Sequence, residues 1–334
     1  MTGSELDVGI VGVGRIGSFH ARTLAGLDGV ATVTVADDDR ERAQAVAREL
    51  GVVAAKTPDA LVRSGIDALV IATTTAGHAA WLREAARAGL PAFCEKPVAL
   101  EPAVLDAVID DVATAGITVQ VGFQRRFDDG YRAAHDAVAT GELGTVLVLR
   151  AATHDQTPPA EAYIATSGGI FRDLHIHDFD AIRFVTGEEI VEVYAAGAVR
   201  ETEWFARHDD VDTAAAVLRL SGGALAVLSG TRHDPLGYDV RLEVFGTRDS
   251  VAAGLGPRTP LRPLEAGTEA PRASYRDFMD RFERAYRAEL AAFVATVREG
   301  GESACGLEEA RAALRVAACA DRSLAEGRPV PVAG

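Results

Sequence analysis

The stretch from Leu6 to Gly17, LDVGIVGVGRIG, decides the fold of the N-terminal part of this chain. It begins as an apolar run rich in β-branched residues, which is typical of a buried strand. It ends in Gly12, Gly14 and Gly17, the G-x-G-x-x-G spacing that joins a strand to a helix. Such glycines allow a tight turn, a close approach of a pyrophosphate to the backbone, and close packing of the helix on the sheet. The stretch therefore predicts a dinucleotide site at the N-terminus of the first helix.

Strand and helix patterns alternate over the first 123 residues. Short apolar runs, such as 67–71 and 91–94, lie between amphipathic segments such as 40–50 and 102–116. Strands separated by short helices predict parallel βαβ units with helices on both faces of the sheet. We therefore predict an α/β protein whose residues 1–123 form a doubly wound Rossmann domain.

The pattern changes after Phe123. Residues 144–154 form a longer strand pattern, and the segments 188–198, 212–233 and 238–254 contain alternating strands joined by turn residues. Such strands predict an antiparallel sheet. We expect residues 124–334 to form a second, α+β domain.

The composition limits the class of protein. The chain has 334 residues, of which 48% are hydrophobic, enough for the cores of two domains. It has 34 Lys and Arg against 49 Asp and Glu, a net charge of −15, which disfavours nucleic acid and anionic membranes as partners. The cysteines form no C-x-x-C pair, the N-terminus lacks the basic start of a signal peptide, and no run of 18 apolar residues occurs. We expect a cytoplasmic protein.

An acidic residue follows the second strand pattern and bears on cofactor choice. Asp37 lies 20 residues after Gly17. A carboxylate in this position binds the ribose hydroxyls of NAD and repels the 2′-phosphate of NADP. Arg40 could accommodate that phosphate, but Asp37 and Asp38 outweigh it. The sequence predicts NAD as the cofactor.

A lysine lies where the fourth strand pattern ends. Glu95, Lys96 and Pro97 follow this strand, and ligands of open parallel sheets bind beyond the carboxyl ends of the strands. Lys96 is therefore predicted to lie near the nicotinamide. A solvated lysine at a strand end is the alternative, and position alone does not decide between the two.

The segment GGIFRDLHIHDFDAIRF, residues 168–184, holds two histidines among three aspartates. Its apolar residues follow a period of 3.6, and glycines flank it, which predicts a helix ending at Gly187. In a helix, Asp173 and His177 share a face as an acid–base pair, whereas His175 and His177 diverge, which disfavours a zinc site. A buried structural hydrogen bond is the alternative for Asp173 and His177, and His175 is interpreted as structural.

Several motifs together resemble one family. The chain is similar to the glucose–fructose oxidoreductase/inositol dehydrogenase (Gfo/Idh/MocA) oxidoreductases nearly end to end, most closely to the myo-inositol dehydrogenase branch. The resemblance rests on GIVGVGRIGSFHARTL, EKPVAL, VGFQRRFD, SGGIFRDLHIHDFDAIRF, YDVRLEVFGT and RFERAYRAELAAF. It implies a Rossmann domain, a second domain built on a large, mostly antiparallel open sheet, and a homotetramer.

The resemblance also implies an activity and a set of site residues. The activity is NAD-dependent oxidation of a secondary hydroxyl of a cyclic polyol or sugar, with Lys96, Asp173 and His177 as the catalytic residues and no metal. The candidate cofactor residues are Gly12, Gly14, Arg15, Ile16, Gly17, Asp37, Thr73, Thr75, His78, Glu95 and Lys96. The candidate substrate residues are Arg125, His154, Asp155, Gln156 and Tyr238.

Two segments depart from the inositol dehydrogenase branch. His154-Asp155-Gln156 replaces the usual Arg-Asp-Pro or Arg-Asn-Pro, and Leu236 replaces the first Tyr of Tyr-Gly-Tyr-Asp. We therefore expect a substrate related to inositol, with myo-inositol accepted weakly or not at all. An aldose 1-dehydrogenase or a ketosugar reductase of the same family is the alternative enzyme. A non-catalytic dinucleotide sensor is the alternative of another class, which the three catalytic candidates disfavour.

Overall fold

A computed structural model describes residues 5–265 and 273–332 of the chain. The chain forms two compact units, residues 1–124 with 286–311, and residues 125–285 with 312–334. The division predicted from the sequence, 1–123 and 124–334, is continuous, whereas in these units the segment 286–311 returns to the first unit. Among the described helices, none is both long and apolar enough to cross a membrane.

The first unit is built on a parallel sheet of six strands. Its strands are β1 (Leu6–Val11), β2 (Val30–Ala36), β3 (Val53–Ala54), β4 (Ala68–Ile71), β5 (Ala92–Cys94) and β6 (Val119–Val121). Between them lie α1 (Arg15–Leu24), α2 (Arg40–Leu50), α3 (Pro58–Val62), α4 (Thr75–Ala88) and α5 (Pro102–Ala115). The strand order β3-β2-β1-β4-β5-β6 confirms the doubly wound prediction.

The strands of the first unit are apolar because both faces of the sheet are covered. All residues of β4 and β5 are buried, as expected for a parallel sheet with helices on each side. Leu290 and Phe293 add to the core around β1 and β2. These two residues come from the segment that returns to the unit, so the core explains why 286–311 belongs here.

The second unit is built on a sheet of seven strands. Its elements, with the last helices of the chain, are α6 (Asp129–Ala139), β7 (Val146–His154), α7 (Glu161–Ser167), α8 (Ile170–Asp173), α9 (Ile176–Thr186), β8 (Ile190–Ala198), β9 (Thr213–Leu220), β10 (Leu225–Thr231), β11 (Asp239–Gly246), β12 (Ser250–Ala253), α10 (Phe278–Glu299), α11 (Leu307–Glu326) and β13 (Val330–Pro331). Turns of 3₁₀ helix span Gln124–Phe127 and Glu203–His208. The order is β12-β11-β7-β10-β9-β8-β13, and among the described strand pairs of this second sheet only β7–β10 is parallel. The prediction of a mostly antiparallel second sheet is confirmed.

The register of this sheet brings three polar segments together. His154, the last residue of β7, pairs with Thr231 at the end of β10 and with Asp239 at the start of β11. The chain after β7, the chain after β10 and the chain before β11 therefore meet at the same end of the sheet. That end of the sheet carries most of the candidate substrate residues.

The segment 168–187 is not the single helix that its periodicity predicts. Leu174 and His175 separate α8 from α9. The backbone N–H of His175 donates to the carbonyl of Ile170, five residues earlier, and the His175 ring bonds to Asp178. The prediction of one continuous helix was wrong, because a shift of helix register by one residue leaves the apolar period of the flanking turns nearly unchanged.

Candidate active site

The turn after β1 has the backbone shape that its glycines predict. Gly12 has a φ of +84°, and a Cβ there would lie 2.6 Å from the Ala72 carbonyl oxygen. A Cβ on Gly17 would lie 1.9 Å from the Gly12 carbonyl oxygen. A Cβ on Gly14 would meet nothing within 4 Å. Gly12 and Gly17 are therefore needed for packing, because a side chain would not fit at either position. Gly14 instead leaves open space beside the backbone, which fits a phosphate group.

The helix that follows this turn offers an anion site. Gly14 is the N-cap of α1, and Arg15 and Ile16 are its first two residues. The backbone N–H groups of a first helical turn have no acceptor within the helix and attract a negative charge. The hydroxyl of Ser18 donates a hydrogen bond to the Val13 carbonyl at 2.9 Å and links the helix to the turn. This geometry fits the pyrophosphate of a dinucleotide.

Asp37 is held in place where β2 ends. Its carboxylate accepts hydrogen bonds from the backbone N–H of Val13 (2.8 Å) and of Asp39 (2.9 Å). Its side chain is 9% exposed, and Arg42 lies 3.3 Å away. The arginine that pairs with Asp37 is thus Arg42 rather than Arg40, which the sequence suggested as a competing influence. The anchored carboxylate fits the recognition of ribose hydroxyls.

The turns after β4 and β5 are tied together by a buried histidine. The ring nitrogens of His78 lie 2.8 Å from the Pro97 carbonyl oxygen and 3.1 Å from the Thr73 carbonyl oxygen. Burial lowers the pKa of His78. Thr75 is the first residue of α4, one turn before His78. His78 therefore supports the backbone of both turns. The sequence analysis predicts it as a cofactor residue, and its contacts show a role in holding these turns.

Lys96 follows a glutamate that is fully engaged. The Oε1 atom of Glu95 accepts a hydrogen bond from His20 Nε2 at 2.7 Å, and its Oε2 atom accepts one from the backbone N–H of Lys96 at 3.2 Å. Glu95 is buried and Lys96 is half-buried. The backbone of the lysine is therefore fixed by the residue before it.

Asp173 contacts Tyr163 on α7 and Arg232, which follows β10. Its Oδ1 atom accepts a hydrogen bond from the Tyr163 hydroxyl at 2.7 Å, and its Oδ2 atom lies 2.9 Å from Arg232 Nη2. The Nη1 atom of the same guanidinium group lies 3.1 Å from Asp155 Oδ2. Burial and Asp173 raise the pKa of Tyr163, so its hydroxyl remains a donor. The fork of Arg232 therefore orients two of the predicted site residues at once.

Sequence reasoning missed both Tyr163 and Arg232. The signal for a partner was present, since an aspartate on a buried helix needs one. Nothing in the pattern shows which arginine supplies it, because Arg232 lies 59 residues from Asp173. Asp155, predicted to hold substrate, lies against the same guanidinium.

Arg125 lies in a buried network next to this group. It is 1% exposed, forms an ion pair with Asp178, and its Nη2 lies 3.0 Å from the Thr153 hydroxyl. The His175 ring bonds to Asp178 at 2.7 Å. Burial would raise the pKa of Asp178, but Arg125 and His175 outweigh it and lower the pKa to about 2. The network fixes β7 to α9, which fits the structural reading of His175.

The remaining candidates of the second unit differ in exposure. His177, the second residue of α9, is half-buried, as are His154 and Gln156. His154 Nδ1 lies 2.8 Å from the Thr231 hydroxyl, and burial lowers its pKa. Tyr238 is buried, and burial raises its pKa. Asp173 and His177 lie on either side of the helix break, so the regular i, i+4 spacing of one helix does not apply to them.

The chain matches two protein-family models and has full-length relatives. Residues 6–123 match the model of the oxidoreductase family with an NAD-binding Rossmann fold, and residues 131–252 match the GFO/IDH/MocA C-terminal domain. A myo-inositol 2-dehydrogenase of Thermotoga maritima is 36% identical, over 97% of this chain and 98% of that protein. A myo-inositol dehydrogenase of Streptomyces leeuwenhoekii is 40% identical, over 98% of this chain and 100% of that protein.

A solved structure shows the same similarity in three dimensions. It is a scyllo-inositol dehydrogenase of Lactobacillus casei with bound NAD(H) and scyllo-inositol. It superposes with a TM-score of 0.89 at 28% identity and covers 99% of this chain and 100% of that one. With its dinucleotide turn, its anchored Asp37 and both matching domains, this chain belongs to the GFO/IDH/MocA family of NAD-dependent oxidoreductases.

Proposed function

We propose that this protein oxidises a secondary hydroxyl of a cyclic polyol related to inositol. The observation that carries the proposal is the full-length similarity to inositol dehydrogenases, one of them solved with NAD(H) and an inositol bound. The cradle at Gly14 and the carboxylate of Asp37 support it, because both fit NAD. Bound NAD supplies the acceptor for the hydride.

The residues of the chain supply the proton chemistry. In this proposal, His177 takes the proton of the reacting hydroxyl as a general base. Asp173, held in place by Arg232 and the Tyr163 hydroxyl, orients the imidazole and stabilises its cation. Lys96 donates a hydrogen bond to the reacting oxygen and stabilises its developing negative charge. Its backbone is fixed by Glu95.

Residues at this end of the seven-stranded sheet supply the substrate specificity in this proposal. We propose that His154, Gln156 and Tyr238 hold the other hydroxyls, whereas Asp155 acts mainly through its pair with Arg232. Leu236 is 52% exposed and offers no hydrogen-bonding group. A site built on directed hydrogen bonds discriminates strongly, since an unpaired buried group costs about 1–3 kcal/mol. We therefore propose a polyol or pyranose in which one ring hydroxyl is missing or replaced.

A panel of substrates tests this function. Initial rates of NADH formation at constant NAD are measured on myo-inositol, scyllo-inositol, D-chiro-inositol, glucose, xylose and a deoxy or anhydro sugar. We expect turnover on at least one cyclic polyol or pyranose other than myo-inositol, with myo-inositol a weak substrate. If myo-inositol is the best of the panel by more than about tenfold, the substitutions at His154 and Leu236 have no effect on specificity. NADH binding without turnover on any member would favour a dinucleotide sensor.

We also propose that the protein is a cytoplasmic homotetramer. One face of the seven-stranded sheet exposes apolar side chains that a second copy would cover, which are Leu147, Val191, Tyr194, Val217, Leu225 and Val227. On β9 and β10 they alternate with buried residues, so they lie on one face. Sedimentation equilibrium should give four times the chain mass. Val217→Lys should lower that mass, and a monomeric parent protein would contradict the proposal.

A further inference from the structure

Three ionisable side chains meet inside the first unit, under the turn that carries Lys96. They are His20 on α1, Glu95 after β5 and Glu289 on α10, and their ligand atoms lie within 4.8 Å of one another. His20 and Glu289 are 0% exposed, and Glu95 is 7% exposed. The mechanism proposed above uses none of the three side chains directly. A buried group of this kind requires an explanation, since an uncompensated buried charge is costly.

The two carboxylates differ in their hydrogen bonds. Both oxygens of Glu95 are engaged, one by the His20 ring and one by the backbone N–H of Lys96. Among the described residues, none forms a hydrogen bond with either carboxylate oxygen of Glu289. The His20 ring also packs against the aromatic rings of Phe93 and Tyr286, at centroid distances of 5.5 and 5.8 Å.

Two neighbouring carboxylates in such a site do not both carry a charge. Glu95 accepts two hydrogen bonds, whereas Glu289 accepts none from the described residues. Burial and the charge of Glu95 raise the pKa of Glu289 well above its ordinary value. Glu95 and His20 are the titratable groups that face Glu289, and β6 faces the same helix with the uncharged Gln120, whose amide bonds to the Glu289 carbonyl. A cation could also neutralise the pair, but both Glu95 oxygens already accept hydrogen bonds.

We propose that His20, Glu95 and Glu289 form a buried proton-binding site in which Glu289 is a neutral acid. Each Glu95 oxygen keeps a second lone pair, so the nearby acid can donate its proton to Glu95 in a hydrogen bond and position it. Glu95 in turn fixes the backbone of Lys96, so Glu289 is a positioning residue for the lysine. This second step rests on the function proposed for Lys96. The first step, the bound proton, does not depend on it.

The bound proton has a signature in stability. The folded state binds it more tightly than the unfolded state, so its stabilising effect is complete below the ordinary pKa of glutamate. The effect is lost progressively as the pH rises towards the pKa of the folded protein. Glu289→Gln keeps the shape of the side chain and needs no proton. The unfolding constant of the parent protein should therefore rise relative to that of Glu289→Gln by up to about tenfold per pH unit.

Urea unfolding of the full chain between pH 5.5 and pH 9 measures this ratio. Glu283→Gln, an exposed glutamate on the same helix, is the matched control and should give a constant ratio. A constant ratio for Glu289→Gln as well would overturn the proton site. Stabilisation of the parent protein by added Zn²⁺, absent in Glu289→Gln, would assign the site to a cation and overturn the proposal too.

Kinetics test the positioning step separately. Glu289→Met removes both oxygens and keeps an unbranched side chain; we expect at least tenfold lower kcat with the Kd of NADH changed less than twofold. Glu289→Gln should restore most of the loss, which a purely steric role for the residue does not predict. If Glu289→Met folds poorly, Glu289→Leu, which also removes both oxygens, is measured in its place with the same expectation. Unchanged kcat in the variant that folds would overturn this step. If Lys96→Ala keeps normal turnover, the role of Lys96 fails while the stability result stands.

Discussion

The cofactor residues of the first unit and the candidate substrate residues of the second are built in different ways. The turn from Gly12 to Gly17 and the anchored Asp37 depend on the backbone of adjacent strand ends. Asp173 instead depends on Tyr163 and on Arg232, which comes from the end of another strand. A local motif therefore identifies the first group, whereas the second exists only once the seven-stranded sheet has formed.

The largest effect expected from this comparison is at Arg232. Arg232→Ala leaves Asp155 and Asp173 close together without their cation, which costs on the order of 3–5 kcal/mol of folding free energy. Arg232→Lys keeps the charge but loses the fork that binds both carboxylates. A misplaced catalytic pair costs about 10²-fold in rate, so we expect Arg232→Lys to fold and to lose about 10²-fold in kcat/KM. Urea unfolding and initial rates measure the two effects.

The same substitution elsewhere on the sheet is the control for Arg232. Arg219 lies on β9, is exposed and pairs with Glu192. Exposed pairs contribute about 0–1 kcal/mol, so Arg219→Lys should change neither stability nor rate appreciably. Equal behaviour of the two variants would show that the fork of Arg232 has no special role.

A smaller effect is expected at Asp37, which we propose selects the cofactor. The parent protein should prefer NAD over NADP by at least about tenfold in kcat/KM, about 1.4 kcal/mol. Asp37→Ser removes the charge that repels a 2′-phosphate and should narrow this ratio. Arg42→Ala, which removes the exposed partner of Asp37, should widen it slightly or leave it unchanged. Equal use of NADP by the parent protein would refute the assignment of Asp37.

The sequence predicts the fold of both units because the signals are repeated along the chain. Buried apolar strands between short helices give the parallel sheet, and alternating strands such as β9 and β10 give the second sheet. The division at residue 124 follows from the same change of pattern. The return of 286–311 to the first unit could not be predicted, because the apolar stripe of α10 shows that it packs but not against which core.

The site is predictable to the extent that it is local. The strand patterns directly predict the positions of Gly12, Asp37 and the turn at Lys96, because each comes just after the end of a strand. The break between α8 and α9 does not, because it depends on one backbone hydrogen bond and on the pairing of His175 with Asp178. Arg232, which contacts Asp173, lies 59 residues further along the chain and carries no local pattern.

We propose that separate residues of this chain bind the cofactor and transfer the proton, with His177 as the base. The most direct test is to measure, in His177→Ala, both the Kd of NADH and the rate of NADH formation on the best substrate of the panel. Lys96→Ala is measured alongside. We expect a Kd within about twofold of the parent and a kcat lower by at least about 10²-fold, the usual contribution of an acid–base group. The remaining rate should lose the pH dependence that a general base confers. Near-normal turnover of His177→Ala would contradict the account and leave this histidine with a structural role.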